Sequence, residues 1–384
     1  YDGDYSFWYG KGPGQDQAMD ALRQGKWHGS SKHGGVLIAD GDYHNMTSTI
    51  NGYSSELLFE DLFMPVIYTS DIQEVLDMGL YGIALSRFCG AWVVYKLLPE
   101  TFETSASIDA DINRVKIVTP DFEFPQEGVN AFLQDSVYIK EARIRNYRLP
   151  AALAFARANM LNYVSHPSDY PRIGILTLGK SWRDVRQALV DLGISEQQAA
   201  ELGITILKVG MPYPADTETY AEFARGLEEV IVVEEKRDLL ETGMLAACYD
   251  LPADQRPRIV GRKDECGAKL LDNAKAITAD EIALVIASRI KHFHDTELMR
   301  ARVQRLGGGI ERAAQLPALS MQRTPYFCSG CPHNTSTKIP DGSRALGGVG
   351  CHYICLLYTS DAADDWLVGV GGGVGGGVEG GGGG

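Results

Sequence analysis

The sequence predicts an α/β protein of several parallel-sheet units with helices on both faces. Three observations predict it. Short apolar runs bounded by turn residues recur along the chain, too brief for helices and suited to buried strands. Segments with helical spacing of apolar residues lie between them, giving the strand–helix–strand order of parallel sheets. The 384 residues, 45% hydrophobic and 22% charged, suit two or three soluble domains at roughly 150 residues each.

The first strand is expected at 35–39, where Gly-Val-Leu-Ile-Ala is closed by Asp40-Gly41. Similar runs occur at 64–68, 91–95 and 115–118. Between the second and third of these, 70–88 opens with Ser-Asp and carries Ile72, Val75, Leu76, Leu80, Ile83, Ala84 and Leu85 at helical spacing. Residues 135–162, rich in Ala and Arg, read as one or two helices interrupted by Pro150. A second α/β unit follows: strands at 172–179, 204–209 and 230–233, and helices at 182–192 (stopped by Gly193), 217–227 and 239–249. Residues 258–273 read as a polar connector, and 279–305 as helix ended by Gly307-Gly308-Gly309. The expected divisions are 1–165, 170–265, a helical connector at 266–320, and a short cysteine-bearing segment at 321–354.

The ends read differently. The chain opens at Tyr1 without a leader, so it reads as a piece of something longer. Residues 369–384 hold 12 of the 43 glycines, and Cys355 to Asp365 resembles the translation of a sequencing adapter. Residues 355–384 are therefore expected to be a read-through artefact without a fold. Setting aside their three Asp and one Glu moves the net charge from −14 to −10. An acidic chain repels phosphate backbones, which argues against nucleic acid, and no apolar run reaches the ~20 residues of a membrane span. Small molecules or proteins are the expected partners, in the cytoplasm.

Four motifs carry candidate chemistry. Gly174 to Ser181 satisfies the P-loop pattern, with Glu234-Glu235 as an imitation magnesium site, but its four intervening residues are Ile-Leu-Thr-Leu, whose N–H groups suit a sheet better than a phosphate. Gly10-Lys-Gly12-Pro-Gly14 reads as a loop, with Gly12 and Gly14 as candidate cofactor-binding positions. Asp42 and His44 follow the first strand, at the carboxyl edge where parallel sheets bind ligands. The strongest signal is Cys328-Ser-Gly-Cys331-Pro-His333 with Cys351-His352 farther on. A turn of this spacing aims two thiolates at one centre, and spacing alone leaves zinc (with His352) and an iron–sulfur cluster both open. Cys89, Cys248 and Cys266 are isolated and read as plain thiols.

Taken in order, W-Y-G-K-G-P-G, S-K-H-G-G-V-L-I-A-D-G-D, G-L-Y-G-I-A-L-S-R, L-G-K-S, K-V-G-M-P-Y-P, E-E-V-I-V-V-E-E-K-R, Y-F-C-S-G-C-P-H-N-T-S-T and G-V-G-C-H-Y resemble the large fused indolepyruvate ferredoxin oxidoreductases across residues 1–354. The resemblance implies thiamine-fold architecture: a partial pyrimidine-binding domain (1–165), a transketolase-C-terminal-like domain (170–265) and the start of a pyrophosphate-binding domain (321–354). It implies thiamine diphosphate with Mg2+, oxidative decarboxylation of an aryl 2-oxo acid such as indolepyruvate, transfer of the acyl group to coenzyme A, electrons passing through a [4Fe–4S] cluster to ferredoxin, and a homo-oligomer. Cys328, Cys331 and Cys351 match three of the cluster ligands. The loop G-P-G-Q-D-Q-A-M-D departs from the family's V-D-R-S-G-D form. The pyrimidine-activating Glu is expected upstream of Tyr1 and the magnesium–diphosphate loop downstream of Cys351, so this chain alone is expected to be inactive. Two other readings remain at this point: a zinc-bearing α/β interaction protein, and a P-loop ATPase.

Overall fold

A computed structural model describes residues 5–45, 52–130, 135–316, 327–336, 338 and 340–342. The elements run in the order β1 (Tyr5–Lys11), α1 (Gly12–Gln17), α2 (Met19–His28), β2 (Gly35–Gly41), α3 (Glu56–Asp61), β3 (Val66–Tyr68), α4 (Ile72–Cys89), β4 (Val93–Leu97), α5 (Pro99–Phe102), α6 (Val137–Arg143) and α7 (Leu149–Ala158). There follow β5 (Asn162–His166), β6 (Ile173–Leu178), α8 (Gly179–Leu192), α9 (Glu196–Glu201), β7 (Ile204–Val209), α10 (Thr217–Ala224), β8 (Glu229–Val233), α11 (Leu239–Tyr249), β9 (Arg258–Val260), α12 (Ala279–Ile290), α13 (Glu297–Ala314) and α14 (His333–Ser336). The chain divides into two units: one spans 1–42 and 54–312, the other 43–53 and 313–384.

The larger unit holds two sheets, ordered β1-β2-β4-β3 and β5-β7-β6-β8-β9. All pairings are parallel except β5 with β7. This is the α/β class the alternation predicts. In the second sheet β6, β7 and β8 are buried along their whole length, as expected where helices cover both faces. Period-two alternation divides their side chains. Ile173, Ile175, Ile204, Ile206, Ile231 and Val233 face a core shared with α8 and α12. Leu176, Leu178, Leu207, Val209, Val230 and Val232 face one shared with α10 and α11. Residues 271–290, read as part of a connector, thus pack on the sheet through Leu271, Ile277, Ile282 and Ile286. The first sheet is divided in the same way: Leu37, Ile67 and Val93 meet α4 and α7, and Ile38, Val66 and Val94 meet Leu22 of α2 and Phe59 of α3.

The two sheets are joined through backbone. Val66 N–H donates to Tyr213 C=O and Tyr68 N–H to Gly210 C=O, both at 2.8 Å, so the outer edge of β3 takes partners from the segment after β7. The Tyr68 ring lies on Gly179, where a Cβ would come within 2.2 Å of it; φ there is +49°.

Several expectations are corrected. No strand forms at 115–118: Ile117 and Val118 are exposed, and the Asn159 side chain serves both the N–H and the C=O of Val118. Pro150 does not interrupt its helix. A π-helical stretch, Ile144–Arg148, joins α6 to α7 and accommodates the missing N–H. The 279–305 helix is two helices, and α13 runs through Gly307-Gly308-Gly309 rather than ending there. The Gly10–Gly14 loop is instead the end of β1 and the first turn of α1. Strands β1, β5 and β9 are additional; each lies at a sheet edge. Among the described residues no helix is long and apolar enough to cross a membrane.

Candidate functional site

At the carboxyl edge of the first sheet, β2 delivers Asp40 and, just past its end, Asp42, while β4 delivers Lys96. All three are fully buried. The Lys96 ammonium donates to Asp42, lies 3.0 Å from Glu56 and 3.6 Å from Asp40, and sits 5.6 Å from the centroid of the Tyr68 ring. An isolated buried ammonium would shed its proton, but the charges of Asp42, Glu56 and Asp40 overcome desolvation and hold Lys96 well above its ordinary pKa. Three carboxylates around one cation are too many charges for a dry site. Asp40 takes up the excess: burial first, then the neighbouring Asp42, push its carboxyl up to about 8. It therefore holds a proton at neutral pH.

Gln15, fully buried on α1, donates its amide to Asp40 and to the Gly10 carbonyl. Gln15 Oε1 and Asp40 Oδ2 remain buried without a hydrogen-bond partner among the described residues, a costly arrangement that points to a polar group meeting this edge. Asp42 is anchored from the other side by the N–H and hydroxyl of Ser55, at 2.7 and 2.8 Å.

The carboxyl edge of the second sheet is arranged otherwise. Lys180 donates to Asp184 (2.6 Å), Glu235 (3.1 Å) and the Ile277 carbonyl (2.9 Å). Glu234 accepts the N–H groups of Leu240 and Glu241, at 2.7 and 2.9 Å, and so caps α11. Burial pushes its carboxyl up to about 8 even so. A cavity of about 10 Å3, room for one water, lies among Tyr68, Lys180, Ser181, Glu234 and Glu235. This geometry removes the P-loop reading. Gly174 is paired in the sheet with Thr205 and Val230, and Lys180 is engaged by protein acceptors.

Of the residues singled out in sequence, Gly12 is buried at the first turn of α1 and Gly14 lies on the same helix with open space beside it. Asp42 is in the Lys96 cluster. His44 is buried, on the segment belonging to the smaller unit. Also in that unit, Cys331 N–H donates to Cys328 C=O at 2.9 Å, with Gly330 at φ +79°. Both cysteines thus ride one tight turn, Cys328 exposed and Cys331 half-buried, as free thiols. Cys351 and residues 355–384 lie outside the described residues. Sequence reasoning missed Lys96, Asp40, Glu56 and Gln15. The available signal was a charged residue ending an apolar strand, in V-L-I-A-D and V-V-Y-K.

A family model described as an indolepyruvate oxidoreductase domain matches residues 164–313. The indolepyruvate oxidoreductase subunit IorA of Pyrococcus horikoshii is 23% identical over 356 residues, covering 90% of this chain and 50% of the relative. That of Methanothermobacter thermautotrophicus is 24% identical over 338 residues, covering 85% and 48%. The chain spans about half the length of the curated relatives it matches. Among solved structures, 2-oxoglutarate:ferredoxin oxidoreductase from Magnetococcus marinus is similar with a TM-score of 0.44 at 13% identity, covering 74% of this chain and 53% of that one. A split-gene transketolase is similar with a TM-score of 0.36 at 13% identity, covering 67% and 66%. Both structural likenesses are too weak to bear on function. These similarities run the same way as the motif resemblance: over most of its length this chain is similar to indolepyruvate oxidoreductase subunits.

Proposed function

Proceeding from that similarity, we propose that the chain is part of an enzyme that oxidatively decarboxylates aryl 2-oxo acids such as indolepyruvate. The carboxylate leaves as CO2, the acyl group passes to coenzyme A, and two electrons go one at a time to ferredoxin. The observation that carries the reading is the similarity to indolepyruvate oxidoreductase subunits over about 90% of the chain. In this reading residues 1–165 are the pyrimidine-binding portion, 170–265 the transketolase-C-terminal-like portion and 321–354 the start of the pyrophosphate-binding portion. Thiamine diphosphate with Mg2+ supplies the electron sink for decarboxylation, and a [4Fe–4S] cluster supplies single-electron transfer.

The donor chemistry of the chain fits both groups. A turn that carries two free thiols suits a thiolate-ligated cluster, with Cys328 and Cys331 as ligands and Cys351 as the third. The orphaned Gln15 Oε1 suits a ring that brings a donor, and Asp40 Oδ2, the oxygen left to carry the proton, suits an acceptor on the same ring. Gly12 and Gly14 let backbone approach the cofactor, and Asp42, held by Lys96 and Ser55, borders it at the carboxyl edge; His44 remains a candidate in the smaller unit. Asp40, protonated at neutral pH, keeps a donor inside a water-excluded edge. Assembly as a homo-oligomer belongs to the same reading.

Anaerobic reconstitution tests it. The chain should take up iron and sulfide with broad visible absorption, and Cys328→Ser or Cys331→Ser should abolish most of that uptake. Stoichiometric colourless zinc with no iron would overturn the electron-transfer role and favour a structural zinc site.

A further inference from the structure

A recess of about 250 Å3 opens on the outer face of α8, away from the carboxyl edges of both sheets. Its rim is cationic. Arg183 and Arg186, three residues apart, share one helix face, and His166, at the end of β5, closes the far side. Arg183 has no hydrogen bond or ion pair among the described residues. Arg186 donates to Glu196 at 2.9 Å, and the His166 ring lies 3.3 Å from the same carboxylate. Glu196 is a loosely held occupant, its side chain 69% exposed. The wall is apolar: Ile194 is buried, and Val190 is 61% exposed with nothing covering it. Two guanidiniums against one carboxylate make this recess locally positive on a chain of net charge −14, and guanidiniums match phosphate oxygens in planar, paired geometry.

We propose that this recess binds an organic phosphate monoester with an apolar body. The phosphate takes the place of Glu196 on Arg186 and His166, recruits the unpartnered Arg183, and lays its apolar body on Val190 and Ile194. Burial holds the His166 imidazole below the ordinary histidine range against the pull of Glu196, so a bound dianion raises it and marks occupancy in the ring resonances.

Phenyl phosphate and inorganic phosphate, titrated into the full chain at fixed ionic strength and followed through the His166 ring by NMR, test the proposal. Saturable shifts are expected for both, with phenyl phosphate tighter by roughly tenfold for the apolar area it covers. Glu196→Gln removes the competing carboxylate and should tighten both ligands by about two- to fivefold, whereas Arg183→Gln with Arg186→Gln should abolish saturation. Val190→Ser should lower only the advantage of phenyl phosphate. The proposal is overturned if the His166 resonances do not saturate, if the double arginine variant binds as well as the parent, or if Glu196→Gln weakens binding. Neither result bears on the iron–sulfur assignment, whose ligands lie in the other unit.

Discussion

A lysine stands at the carboxyl edge of each sheet, and the two lysines are treated in opposite ways. Lys180, on the first turn of α8, has one acceptor for each of its protons: two carboxylates and a carbonyl. Lys96 is surrounded by three carboxylates, keeps no water contact, and leaves Gln15 and Asp40 with unmet acceptors. A satisfied cluster holds a fold together and asks for nothing more. An over-supplied one, with orphaned atoms beside it, is unfinished in the way ligand-binding edges are. The comparison sets an over-supplied cluster on the first sheet against a satisfied one on the second, although the P-loop spelling lies in the second.

The sharpest way to break the comparison is to remove each ammonium. Lys96→Met strands the buried carboxylates of Asp42 and Glu56 and should cost about 3–5 kcal/mol of stability. Lys180→Met, at a side chain 15% exposed, should cost only about 1–2 kcal/mol; equal losses in urea unfolding would erase the distinction. Next in size is Gly179→Ala, which drives a Cβ into the Tyr68 ring at a left-handed backbone position and should cost about 2–3 kcal/mol. Gly226→Ala, at φ +82° with no atom within 4 Å, is the control and should cost about 1 kcal/mol.

The pH dependence of stability is the most gradual effect. The folded chain holds protons on Asp40 and Glu234, both raised to about 8, that the unfolded chain releases near the ordinary carboxylate range. Their contribution is present at low pH and is lost as pH rises through 8. In Asp40→Asn the fall in unfolding free energy between pH 5 and pH 8 should shrink by about 1.4 kcal/mol per pH unit, and Glu234→Gln should act independently of it. An unchanged fall would show that Asp40 is ionised in the folded state.

Strands buried on both faces were readable because β6, β7 and β8 are short segments dominated by Val, Ile and Leu between turn residues. Edge strands were not. β1 leaves Phe7 and Tyr9 exposed, and β5 is a short antiparallel addition, so neither has the apolar signature of an interior strand. The cysteine turn was legible from spacing, because two thiols three apart on a Gly-bearing turn have few structural uses. The Lys96 cluster was not, because its members come from four separate elements that only the sheet order brings together. Pro150 misled because the rule that proline ends helices assumes α geometry, and the π stretch before it relaxes that assumption.

The outer edge of β3 bonds to the chain at Gly210 and Tyr213 while Tyr68 rests on Gly179. Swinging one sheet against the other would strip two main-chain bonds and drag a phenol off its seat. A clamshell between these two sheets is therefore a poor way for this protein to grip a small molecule; mechanically they form a welded plate, and a guest at either rim meets a surface already set to shape.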